Sequence, residues 1–123
     1  QWIDEVAGVV AKRHSGCQNV TTAAIDNLQF KAGIYAGDLV VLIGKVTYTG
    51  RTSMEVRVDT YAENSQGMRR PVNRAYFVMV GMNEEDKPTP VPALLVETES
   101  ERAEWEGALK RKEYRLLRRR DGF

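Results

Sequence analysis

DLVVLIGKVTYTGRTSMEVRVDTYAE, residues 38–63, is the stretch whose reading decides the fold. Its first half, DLVVLIGKVTYT, reads as one long strand, and its second half alternates at a period of two, the spacing of an extended strand with one face buried. In the second half Met54, Val56 and Val58 fall on one face and Glu55, Arg57 and Asp59 on the other. TGRT lies between the halves and predicts a hairpin turn, so residues 38–49 and 52–63 pair antiparallel. Gly44 interrupts the first strand and predicts either a bulge or a close neighbour.

Working outward, NSQG (64–67) is a second turn, and RPVNRAYFVMVGM (70–82) is apolar on both faces, as a central strand is. The prolines of NEEDKPTPVP (83–92) end the sheet, because proline cannot continue a ladder. Upstream, VTTAAIDNLQF (20–30) reads as a further strand and KAGIYAGD (31–38) as a break. Residues 1–14 have helical spacing. Trp2, Val6 and Val9 form one ridge and Ile3, Ala7 and Val10 the next, with Ser15-Gly16 as the stop. So wide an apolar arc predicts a helix covered on several sides by a curling sheet. A second helix begins near Thr98, which has capping-box spacing to Glu101. Trp105, Leu109, Lys112 and Leu116 give it a thin stripe that predicts loose docking. The expected class is α+β, a curved antiparallel sheet around a long helix with a C-terminal helix added. The chain divides into a domain over 1–96 and a basic helical extension over 97–123.

The 123 residues suit one domain, and 18 basic against 17 acidic residues leave a formal charge of +1, so no overall field points to nucleic acid or a membrane. The basic tail LKRKEYRLLRRRDGF (109–123) lacks the interleaved aromatics of a base-stacking surface. No apolar run approaches the roughly 20 residues that span a bilayer. The lone Cys17 excludes an intrachain disulfide, fits a reducing, cytoplasmic compartment and reads as a small half-buried thiol. One Cys and one His make no zinc site, so no metal is expected, and no P-loop or dinucleotide fingerprint is present. His14, at the end of the first helix, reads as a cap over its last carbonyls rather than a triad member.

Two places can carry chemistry. On a helix, Asp4 shares a side with Ala7, Gly8 and Ala11, small residues that let a slender ligand approach the carboxylate; a solvated first-turn acid is the plainer reading. The turn YTGRTS (48–53) sets the amides and hydroxyls of Thr52 and Ser53 beside Arg51, with Gly50 expected in an unusual backbone conformation. Such a cluster suits a phosphate, and a plain solvated hairpin is the alternative. Arg69, Arg70 and Arg74 are expected to add charge at the same end of the sheet, or to be surface charges.

WIDEVAGVVAKRHSG, VTTAAIDNLQF, GDLVVLIGKVTYTGRTSMEV, NRAYFVMV and KPTPVP, in this order, closely resemble the hotdog-fold acyl-CoA thioesterases. The resemblance implies a hotdog fold, and a dimer joined edge to edge that often assembles into a trimer of dimers. It implies hydrolysis of fatty acyl-CoA to free acid and coenzyme A without a further cofactor. The family's catalytic aspartate falls on Asp4, as general base or nucleophile, with Gly8 allowing close substrate approach. Its coenzyme A-holding turn falls on Gly50, Arg51, Thr52 and Ser53, and its Asn-x-Ala-Tyr-Phe strand on Asn73, Ala75, Tyr76 and Phe77. Arg74, in the variable place of that strand, is grouped with the turn as coenzyme A-binding. Relatives carry a strand and an Asn-x-x-Gly-x-x-x-Gly-Gly stretch before this helix, so such a segment is expected upstream of Gln1. A non-catalytic acyl-CoA sensor and a structural hotdog subunit are the competing classes.

Overall fold

The computed structural model describes residues 2–31 and 33–120; Gln1 and the last three residues of the C-terminal extension lie outside them. The elements run α1 (Trp2–Ser15), β1 (Asn19–Gln29), β2 (Leu39–Thr49), β3 (Ser53–Glu63), β4 (Arg69–Met82) and α2 (Glu99–Arg120). The strands form one antiparallel sheet in the order β1-β4-β3-β2, so the strand that is apolar on both faces is central, as its pattern predicts. Irregular register in all three pairings adds bend and twist.

α1 lies across one face of this sheet. Ala7 and Ala11 are fully buried against Met54, Val56, Val58, Ala75, Phe77 and Met79. The helix comes so close that a Cβ on Gly44 would stand 2.9 Å from Val10 Cγ2 and 3.0 Å from Val6 Cγ1. Gly44 therefore marks a close neighbour and not a bulge: it pairs in register with Val58, and the irregularity of that pair of strands lies at Thr47. The expectation of a helix covered on several sides is corrected. Among the described residues α1 is covered on the one side that carries Ile3, Val6, Ala7, Val10 and Ala11, and Trp2 and Val9 face outward.

α2 crosses the opposite face, opened by the Thr98–Glu101 capping box: Thr98 N–H donates to Glu101 Oε1 at 2.9 Å and Glu101 N–H to Thr98 Oγ1 at 3.0 Å. Its docking differs from the thin stripe read in the sequence. Leu109 and Leu116 are exposed, and apolar contact comes from Ala108 and from Trp105, whose ring lies 4.4 Å from that of Tyr48. Ion pairs make most of the joint. Arg111 Nε and Nη2 donate to both oxygens of Glu55 at 2.9 and 2.7 Å, Arg57 pairs with Glu104, and Arg115 reaches Asp26 at 2.9 Å. The polar side chains alternating along β3 are thus buried beneath a helix, with Glu55 2 % and Asp59 5 % exposed. Among the described residues no helix is long and apolar enough to cross a membrane.

Gly44→Ala should destabilise the fold by about 1–3 kcal/mol through overpacking. That loss outweighs the ~0.4–1 kcal/mol an alanine gains by stiffening the unfolded chain. Urea unfolding measures it, and an unchanged midpoint would mean that α1 is not seated this closely.

Candidate active site

Asp4 stands in the first turn of α1, where a helix leaves backbone N–H groups unpaired and favours negative charge. Its side chain is exposed and has no ion pair or hydrogen bond among the described residues. The three residues grouped with it by spacing separate into two roles. Ala7 and Ala11 are the packing face, whereas a Cβ on Gly8 would meet nothing within 4 Å. Gly8 is not an accommodation to the core of this chain; the space beside it is open.

Around the start of α1 the surface is apolar. A groove between it and β2 is lined by Trp2, Ile3, Ile34, Val40, Leu42 and Thr60. Thr60, which lines it, faces Asn73 across β3 and β4. Thr60 Oγ1 and both polar atoms of the Asn73 amide are buried without a hydrogen-bond partner among the described residues. Sequence reading matched Asn73 to a family strand but gave no sign that this pair would be buried and unsatisfied. A polar residue opposite an apolar stretch does not declare its partners.

The 50–53 turn is held rigidly. Gly50 N–H donates to the Ser53 carbonyl at 2.9 Å, and the carbonyls of Arg51 and Thr52 accept from Val91 N–H (2.9 Å) and Gly81 N–H (3.0 Å). The segment carrying the prolines therefore straps this end of the sheet. The reason for Gly50 is corrected: the left-handed glycines among the described residues are Gly16, Gly37 and Gly67, and a Cβ on Gly50 would stand 2.9 Å from Ser53 Oγ, so that hydroxyl would have to move. The Arg51 side chain is exposed and has no hydrogen bond or ion pair among the described residues, so the turn presents a free guanidinium.

The other arginines do not join it. Arg69 pairs across from Glu63, at the far end of β3 from Ser53. Arg70 donates to the Gly33 carbonyl at 2.9 and 3.1 Å and to Asp38 at 2.5 Å, clamping the crossing between β1 and β2. The Tyr35 N–H and then the Arg70 guanidinium hold the Asp38 carboxyl below its ordinary range. Arg74 lies opposite Asp59, roughly 20 Å along β3 from Ser53, and its Nε donates to Asp59 at 2.6 Å. That bond, more than offsetting burial, raises its pKa. The expectation of charge gathered at one end of the sheet fails because β4 runs antiparallel to β3 and starts at the other end. His14 is also relocated: its Nε2 hydrogen-bonds the Pro92 carbonyl at 2.7 Å rather than capping the helix. Cys17 is half-buried, as expected.

Comparison with known proteins decides the family. The thioesterase superfamily profile matches residues 1–68. This chain belongs to the thioesterase superfamily. The chain is 41% identical over 109 residues to the rat cytosolic acyl coenzyme A thioester hydrolase, an alignment covering 85% of the chain and 28% of the rat protein. It thus spans under a third of that relative's length. A crystal structure of an apo-hexameric acyl-CoA thioesterase superimposes with a TM-score of 0.85 at 40% identity, covering 95% of this chain and 75% of that one. The acyl-CoA hydrolase of Staphylococcus aureus, solved in complex with butyryl coenzyme A, coenzyme A and coenzyme A disulfide, gives 0.85 at 31% identity, covering 97% and 73%. The four-stranded sheet with α1 across it is the hotdog fold of this superfamily.

Because nothing in the chain fills the space at Gly8, Gly8→Ala should not lower the unfolding midpoint, and alanine's helix propensity favours a gain of up to about 1 kcal/mol. Thermal unfolding of the variant checks this. A clear loss of stability would show that the glycine serves packing.

Proposed function

We propose that this chain is the hotdog unit of an acyl-CoA thioester hydrolase, releasing free acid and coenzyme A from fatty acyl-CoA, with Asp4 as the reacting carboxylate. The observation that carries the reading is the contrast along α1: Ala7 and Ala11 are fully buried in the packing, and the uncommitted Asp4 is left beside an open Gly8. Similarity to proteins named as acyl-CoA hydrolases supports the substrate class.

In this reading the thioester carbonyl sits by the first turn of α1, whose unpaired N–H groups polarise its oxygen. Asp4 accepts a proton from water as the water oxygen bonds to the carbonyl carbon. The C–S bond then breaks, the thiolate leaves with its electron pair, and the proton returns to it. Direct attack by Asp4, giving an anhydride that water opens, is the other route. Neither route needs a metal or a cofactor besides coenzyme A itself. Gly8 gives room for the approach, and the Gly50–Ser53 turn with Arg51 holds phosphate. Arg74, committed to Asp59 in this chain, joins coenzyme A only if that ion pair opens or a second copy brings the ligand to it.

Self-association fits the surface. β1 and β2 are both outer strands with free edges, and Ile25 and Leu28 on β1 are each 54% exposed. Edges of this kind invite pairing with another copy. We infer an edge-to-edge dimer that assembles further into a trimer of dimers, in keeping with the hexameric relative. The proposed setting is cytoplasmic, with neither nucleic acid nor membrane as partner.

Thiol release from acyl-CoAs of graded chain length, by the full-length protein and its Asp4→Asn variant, tests the assignment. Hydrolysis should fall about 10²–10⁴-fold in the variant while acyl-CoA binding persists. Tight binding without turnover in the unaltered protein would instead indicate a sensor, and undiminished turnover in the variant would remove Asp4 from the reaction.

A further inference from the structure

On the face of the sheet that α1 covers, the two central strands are apolar until one rung. β3 offers Met54, Val56 and Val58 there, and β4 offers Met79, Phe77 and Ala75, all buried. At the next rung both strands change at once: Thr60 stands opposite Asn73, with Leu42 beside them on β2. Successive side chains of a strand point to opposite faces, so neither residue belongs to the ion-paired face under α2. The polar rung lies two residues, roughly 7 Å, beyond the rung of Gly44, Val58 and Ala75 on which α1 rests. It therefore sits by the first turn of the helix, where Thr60 shares a groove with Trp2 and Ile3.

Burial without partners gives this rung its chemistry. Thr60 is 6 % and Asn73 8 % exposed, yet the Thr60 hydroxyl and both ends of the Asn73 amide have no hydrogen bond among the described residues. Buried polar groups in native proteins are almost always paired, and a valine and a leucine would have continued the core without this cost. The groove that Thr60 lines measures about 430 Å³, within the range of small-molecule sites, and its other walls are apolar. Thr60 turns about a single bond between staggered positions, which carries its hydroxyl from the core into the groove. The register of β3 and β4 also slips immediately beyond this rung, between Thr60 and Tyr61. Such slips are frequent beside active sites, where they re-aim a side chain.

We propose that Thr60 and Asn73 select acyl groups that carry a hydroxyl near the thioester, a 3-hydroxyacyl chain above all. The three unpartnered groups offer a donor, an acceptor and a hydroxyl that does either, and a hydroxyl on the ligand both donates and accepts. A plain hydrocarbon chain in the groove leaves them unpaired, whereas a hydroxylated one satisfies them while its tail stays on the apolar wall. A site built to bond a hydroxyl discriminates against the analogue that lacks it. Position along the chain follows from the helix: the groove begins at Trp2 and Ile3, directly before Asp4, so the rung meets the first carbons of the acyl group. The substrate arm approaches over Gly8, and the acyl end continues past Asp4 into the groove. The inference deepens the hydrolase reading and rests on it for the identity of the ligand as an acyl thioester.

Hydrolysis of octanoyl-CoA, 3-hydroxyoctanoyl-CoA and 8-hydroxyoctanoyl-CoA by the full-length protein tests the selectivity. The 3-hydroxy substrate should have a kcat/KM about tenfold above the other two. In the variant Thr60→Val with Asn73→Leu that ratio should fall to about one. These changes replace unpartnered polar groups by apolar ones of similar shape, so the unfolding midpoint should hold or rise. A pair that serves only the fold would lower the midpoint and leave the ratio where it was. Thr60→Val alone keeps the volume and should also lower the ratio, which covers a double variant that fails to fold. No preference for the 3-hydroxy substrate, an equal preference for the 8-hydroxy isomer, or a preference that survives both substitutions would overturn the proposal. Calorimetry of the same three ligands on Asp4→Asn reads the preference as affinity, without turnover. A protein that hydrolyses none of them would sink the hydrolase reading, and the ratio of affinities would still decide the selectivity.

Discussion

The contact of Ala7 and Ala11 with the sheet is the constraint on which the rest of the structure depends. Two methyl groups, fully buried over Val56, Val58 and Phe77, let α1 approach until Gly44 is the only residue that fits beneath Val6 and Val10. That closeness fixes the rotation of the helix as well as its distance. With the alanines down, Trp2 and Val9 are turned outward, and Asp4, on the alanines' side of the helix but in its first turn, stays exposed. A larger side chain at 7 or 11 would lift or turn the helix, and the orientation of the carboxylate would go with it. The proposed chemistry is in this sense a by-product of packing.

The opposite face follows a different rule. There the sheet is polar, and α2 is joined to it by Glu55–Arg111, Arg57–Glu104 and Asp26–Arg115. Buried ion pairs add little net stability against an apolar alternative, but removing one partner leaves an expensive stranded charge. They therefore specify register: α2 fits only where each carboxylate meets its arginine. Arg111 also lies over the Tyr76 ring at 3.6 Å, which anchors it further. One face holds a helix by shape and the other by charge, and the proposed chemistry lies on the first.

Much of this was legible in the sequence, and the remainder shows where such reading stops. Strand limits, the central position of 70–82 and the Thr98–Glu101 cap follow from local rules of period, proline and capping, because those rules concern neighbours in the chain. Alternation in β3 separated Met54, Val56 and Val58 from Glu55, Arg57 and Asp59, yet a period of two does not say what covers the polar face. Glu104, Arg111 and Arg115 read as charges that suit the helix dipole, when they are the residues that dock it. Arg70 read as charge near the phosphate turn, when it clamps a crossing at the far end of the sheet. The candidate residues themselves were legible by resemblance, and which of them come together was not, since that depends on strand direction and register.

The most direct measurement is a crystal structure of the full-length protein with a non-hydrolysable acyl-CoA analogue. The account predicts the analogue's carbonyl carbon at the first turn of α1, in contact with Asp4 or one water away, with the chain passing over Gly8. An analogue bound with its carbonyl remote from Asp4, and the space at Gly8 filled by a protein side chain, would contradict it.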